Sequence, residues 1–338
     1  MTEQKGYLIV TDYVKANTGE DLSDALQELI LANPNRTIFF PDGEYVLGKP
    51  ILTPANPAHS VMLELSNYAV IKAAEGWSSE EAMIRLGAAE PFNCITENGS
   101  NYGITGGIID GSGVASGISI DSGRESRIEK VSIKHTQIGI RIKDGANSHS
   151  SDADISDVNI VGNKCVGSIG VLIEGCDNTL TNMRIANVQI GIKILRGGQF
   201  LRNIHPLFVF GNEMTEETYA DSCAFWDDGH QHCWYNNCYS DQFATGFRMR
   251  AGARHIYSDC FCFWYTERGG MQHGFVADGK FCSLIRSSHV TFHRGSKENA
   301  YLLVGEEGGN GVIETPFLSP DRPSDDTYRT YLRGPSMG

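Results

Sequence analysis

The sequence predicts an all-β fold, a parallel β-helix. Three observations point there. Short apolar strings recur at intervals of about 20 to 30 residues, the range of solenoid repeats. Each repeat holds an alternating string followed by a second string with an early Gly. No helical period lies between them. Strands too short to bury a core alone must then stack coil on coil, about 4.8 Å apart.

The second strings are QIGIRI, SIGVLI, QIGIKI and ATGFRM, starting at Gln137, Ser168, Gln189 and Ala244. The first strings are IEKVSI, ISDVNI, LTNMRI and YNNCYS, from Ile128, Ile155, Leu180 and Tyr235. FLRNIHPLF from Phe200 and IYSDCFCF from Ile256 are related to these first strings. Aligned, they give columns. Lys130, Asp157, Asn182, Asn203, Asn237 and Asp259 share a polar column that suits a coil corner. The next column, Val131, Val158, Met183, Ile204, Cys238 and Cys260, is apolar and should face inward. Two residues on come Ile133, Ile160, Ile185, Pro206, Ser240 and Cys262, which face inward again because strand side chains alternate. Cys238, Cys260 and Cys262 therefore read as core fillers, with no metal role.

A solenoid needs caps. Leu22, Ala25, Leu26, Leu29 and Ile30 lie at helical spacing between Asp21 and Pro34. Thr37 to Ile51 reads as strand, Pro-Asp-Gly turn and strand, a β-hairpin. The expected organisation is a cap over residues 1–60, a β-helix over 61–307 and an irregular tail over 308–338.

The net charge of −13 argues against nucleic-acid and membrane-surface partners. The N-terminus lacks the apolar run of a signal peptide, so a cytoplasmic location is expected. The nine cysteines then read as free thiols.

ALQELI followed by FPDGEYVL, and the later GITGGIIDGSG from Gly103, resemble the N-terminal region and first full coil of the pectate-lyase-like superfamily. More distantly the chain is similar to polygalacturonases and inulin fructotransferases. The resemblance implies a right-handed β-helix with an N-terminal capping helix. Lyases, hydrolases, epimerases and phage tail proteins share that fold, so it does not choose an activity. DDGH at Asp227 to His230 is similar to the paired Asp and the GHG string of polygalacturonases. The family's upstream NTD string is absent, and RIK at Arg141 to Lys143 precedes this region rather than following it. Polygalacturonase roles are therefore not carried over.

Outward columns carry the candidate chemistry. Ser132, Asn159, Arg184, His205, Tyr239 and Phe261 form one; Lys134, Val161, Ala186, Leu207, Asp241 and Phe263 form the other. Aromatic faces with a few fixed polar groups suit a carbohydrate substrate. The same aromatics suit burial between three copies, a homotrimer. Asp241 is the first candidate acid, because Leu207 and Phe263 would desolvate it and favour the protonated form. Asp227 and Asp228 would face opposite sides of a strand, leaving at most one as base or nucleophile. Glu267 lies in an insertion, as does the acidic loop Gly211 to Asp221, which reads more simply as solubilising. Candidate substrate-binding residues are His205, His230, Trp234, Tyr239, Phe263, Trp264, Arg268, His273 and Arg248. His230 and His232 form H-x-H, but no third and fourth metal ligand accompany them. Arg141, Leu172, Lys193 and Arg248 form an interrupted basic column, read as solvated charge.

The preferred reading is a glycoside hydrolase with two carboxylates and no cofactor. A polysaccharide lyase or intramolecular fructotransferase-like enzyme is the second. A non-catalytic carbohydrate-binding trimer of phage or surface type is the third.

Overall fold

The computed structural model describes residues 7–54, 59–87, 102–121, 124–143, 150–266, 272–294, 300–306, 308–314 and 330–333. The fold is a right-handed parallel β-helix, the hand that parallel crossovers adopt. The chain divides into two compact units, residues 1–163 with 171–179, and residues 164–170 with 180–338.

In the first unit, α1 (Ser23–Ala32) buries Leu26, Leu29 and Ile30, and Leu22 is buried just before its first residue. Ala25 stays exposed, so the buried stripe is narrower than the spacing implied. Asp21 accepts the Ser23 and Gly48 amides, tying the helix start to the following strand. The expected hairpin is not one. Arg36–Phe40 pairs in parallel with Tyr7–Ile9 and Val61–Leu65, whereas Gly43–Leu47 pairs with Ala69–Ala73. The Pro41-Asp42-Gly43 turn bends one coil instead of reversing the chain. The Gly43 amide bonds to Tyr68 in the next coil. Further strands stack in the same way, Gly103–Thr105 on Arg127–Glu129 on Asp154–Ser156.

In the second unit, one ladder runs through Phe200–Leu207, Trp234–Asn236 with Tyr239–Asp241, Ile256–Ser258 with Phe261–Thr266, and Leu284–Arg286 with His289–Arg294. Another runs through Ile190–Ile194, Cys223–Asp227, Thr245–Met249, Gln272–Lys280, Ala300–Glu306 and Thr330–Arg333. Val312–Glu314 and Thr330–Arg333 are strands inside the segment expected to be irregular. Their ladders continue because each still has a preceding coil to pair with.

The corner column has a backbone cause. Lys130, Asp157, Asn182, Asn203, Asn237 and Asp259 all have φ between 51° and 56°. This left-handed region suits Asn and Asp better than other L residues. Asn203 donates to Asn182 at 2.7 Å and Asn237 to Asn203 at 3.3 Å, a side-chain ladder on the corner. The recurrent Gly of the second strings has a steric cause. A Cβ at Gly191 would meet the Ala224 carbonyl and the Pro206 ring, and one at Gly246 the Cys262 sulfur and the Gly274 carbonyl. Cys238, Cys260 and Cys262 are fully buried, as their columns imply. Among the described residues no helix is long and apolar enough to cross a membrane.

Candidate functional site

The outer face of the second unit carries the residues that converge. Leu207, Asp241 and Phe263 are register partners, as are Tyr239 and Phe261. His205 stacks on Tyr239 at 4.2 Å between ring centroids, and Tyr239 on Phe261 at 4.9 Å. Stacking has a consequence for ligands. Both faces of Tyr239 are covered by neighbouring rings, so it offers an edge and a hydroxyl rather than a platform. The edge is polar. His205 Nε2 lies 3.3 Å from Asp241 Oδ2, Gln242 donates to Asp241 Oδ1 at 2.9 Å, and the Tyr239 hydroxyl also bonds to Asp241. Burial, then the neighbouring Asp241 carboxylate, pushes the Tyr239 hydroxyl well above the usual phenol range. Tyr239 therefore stays a donor at physiological pH. The Asp241 side chain keeps 17% exposure, enough for contact with a ligand. Its apolar register partners sit beside it as expected. Gln242 and the Tyr239 hydroxyl donate to its carboxylate, and the direction of the His205 contact follows the tautomer of that ring.

A second exposed aromatic feature lies on the other side of the Asn203–Asn237 corner. Trp234 stacks on Phe200 at 4.6 Å with only 4° between the planes, and both rings are exposed. Their column continues through Ile256 and Leu284 to the exposed Val312.

Other candidates are placed elsewhere. Asp227 ends Cys223–Asp227 with its side chain inward and fully buried, so it cannot reach a substrate. Asp228 is exposed, the opposite orientation that alternation requires. Trp264 is fully buried and donates its Nε1 proton to the Phe243 carbonyl. It is a core residue and not a substrate contact, because Phe263 and Trp264 are consecutive in a strand and only one can face out. Arg248 belongs to the other ladder. It bonds to Asp278 at 2.9 Å and covers one side of Trp226, and Lys193 lies 4.3 Å from the same ring. Trp226 thus fills the basic column between Lys193 and Arg248. His273 also lies in that ladder, half-buried, and its burial lowers its basicity. His230 is exposed and accepts from Arg250 at 2.8 Å. Arg141 pairs with Glu174 in the first unit at 2.8 Å. Glu267 and Arg268 lie outside the described residues.

The acidic loop is more than a solubilising tail. Glu213 and Lys164 hold it through backbone contacts, and Val166 donates to Glu213. Its Tyr219 is buried against Phe208 and Phe210.

Sequence reasoning missed Gln242, Phe200 and Trp226. SCAFWD escaped the repeat because Ala224 replaces the usual Gly. It also missed the interior cluster around Asp227. Asp227 accepts from the Tyr235 hydroxyl at 2.7 Å and the Gly229 amide at 3.0 Å. The Cys233 thiol and His255 Nε2 also face it. The ligand-type atoms of Asp227, Cys233 and His255 lie within 4.8 Å of one another, the composition of a cation site. The tautomer argues otherwise. The Cys233 amide donates to His255 Nδ1 at 3.1 Å, so a neutral ring carries its proton on Nε2 and has no lone pair there for a metal. The cluster is a hydrogen-bond hub.

No family model matches the chain, and no curated protein matches it. Solved structures do. The tailspike protein of E. coli bacteriophage HK620, in complex with a pentasaccharide, is similar with a TM-score of 0.66 at 11% identity, covering 97% of this chain. This chain spans 65% of that tailspike's length. ORF18 of Geobacillus virus E2 gives 0.50 at 13% identity, over 93% of this chain and 59% of that one. The A-module of the Azotobacter vinelandii mannuronan C-5 epimerase AlgE6 gives 0.51 at 14% identity, over 97% and 96% of the two chains. At such identities the likeness establishes a shared parallel β-helix fold.

Proposed function

We propose that the protein recognises a carbohydrate on the outer face of its second unit, with Asp241 at the centre of the site. One observation carries this reading. A half-buried carboxylate is held among a His, a Tyr and a Gln at the rim of an aromatic ladder. Such a rim orders several hydrogen-bonding groups for sugar hydroxyls while rings nearby supply apolar surface. The pentasaccharide bound by the HK620 tailspike and the polymer processed by the epimerase are in keeping with it.

Cleavage of a glycosidic bond is the activity we place on this site. Asp241 would serve as one of two carboxylates, and burial removes Asp227 as its partner. Elimination or intramolecular transfer remains the alternative chemistry. A screen of oligo- and polysaccharides with product mass analysis separates them, because hydrolysis adds water and elimination does not. Hydrolysis abolished by Asp241→Asn is the expected result. Turnover unchanged in that variant would sink the assignment. The exposed Phe200, Trp234 and Val312 favour a second reading, a non-catalytic binder assembled as a homotrimer that covers this column. Sedimentation equilibrium gives the subunit number.

A further inference from the structure

We propose that His255 is an acid-sensitive latch inside the second unit, adding to the ladder between two successive coils a bond that holds only while its ring is neutral. The geometry leaves little choice. His255 is fully buried, and its Nδ1 accepts the Cys233 amide at 3.1 Å. That bond joins the Cys233 coil to the His255 coil, and the His255 amide in turn bonds to Ser283 in the next. The proton of the neutral ring sits on Nε2, 3.5 Å from Asp227 Oδ2, a contact too loose to count as a formed hydrogen bond. A second proton has one place to go, Nδ1. There it would point at the Cys233 N–H, donor against donor. Protonation therefore requires the Cys233 amide to let go.

The groups facing the ring decide the sign. Asp227 lies on one side, the Cys233 thiol and the Tyr235 and Tyr257 rings complete the shell, and His232 acts from farther out. Burial lowers the basicity of His255; Asp227 opposes this, and His232 adds to the lowering. Burial wins, so the folded state refuses a proton that the unfolded chain accepts near the ordinary histidine value of about 6.5. Stability is then fully present above that value and declines as pH falls from it toward the lowered folded value. The Cys233 amide precedes Trp234, so acid would loosen the backbone next to the exposed Phe200–Trp234 stack while the Trp234 amide keeps its bond to the Gln199 carbonyl.

His255→Gln tests the latch. Its side-chain oxygen can take the Cys233 amide, its NH₂ can face Asp227, and it does not titrate. Melting temperatures would be compared at pH 7.5 and pH 5 for both proteins, with hydrogen-exchange protection of the wild-type Cys233 amide at the same two values. The wild type should lose several degrees more than the variant, and its Cys233 amide should lose protection ahead of neighbouring ladder amides. Equal losses in the two proteins would overturn the proposal. So would a Cys233 amide as protected at pH 5 as its neighbours, a readout that stands even where the variant does not fold.

Discussion

Trp234 and Trp264 show how one strand position decides a tryptophan's work. Trp264 is enclosed in the core with its indole proton satisfied, whereas Trp234 lies on the surface against Phe200. Truncating the first opens a cavity and orphans the Phe243 carbonyl. Trp264→Ala should cost about 3–5 kcal/mol in urea unfolding, the range for buried aromatics. Trp234→Ala should cost about 1 kcal/mol, the scale of one aromatic pair. Equal costs would mean that one of the two is misplaced. The cysteines follow the same logic. Cys223 is enclosed, and burial pushes its thiol up to about 12, so it is an inert packing residue.

At the scale of the element, the coil corner sets the register on which every site assignment rests. Asn203 combines a φ of 53° with side-chain bonds to Asn182 and Asn237. Asn203→Gly keeps the backbone and loses the ladder; Asn203→Ala loses both. Thermal unfolding should rank wild type above Gly above Ala, with about 1 kcal/mol between the two variants from left-handed backbone strain. A Gly variant no more stable than the Ala variant would count against the strained corner. This corner was legible in the sequence because stacking repeats one steric demand at each coil. The Asn, Gly and apolar columns are each the same environment met again. The candidate site was legible only in part. Asp241 and its flanking residues fall in repeated columns. Trp226 sits in a strand whose Gly has become Ala, and Gln242 follows the strand end, where alternation no longer says which way a side chain points. The Asp227 hub depends on contacts across the interior, between residues that no single column contains.

For the molecule as a whole, the proposed function turns on which outer face would meet a ligand. The rim around Asp241 and the cation-flanked Trp226 belong to different ladders of the second unit. The acidic net charge of −13 disfavours polyanions as general partners and leaves neutral sugars open. The Trp226 rim engages its cations internally, Arg248 with Asp278 and Lys193 with the ring. The Asp241 rim keeps a partly exposed carboxylate among polar edges. The most direct measurement is calorimetric binding of the best glycan from a broad panel to the wild type, Asp241→Ala and Arg248→Ala. The account predicts wild-type binding that falls at least about tenfold with Asp241→Ala, equivalent to one lost hydrogen bond to a charged group, and stays unchanged with Arg248→Ala. Loss that follows Arg248 instead, or no binding to any glycan, would contradict it.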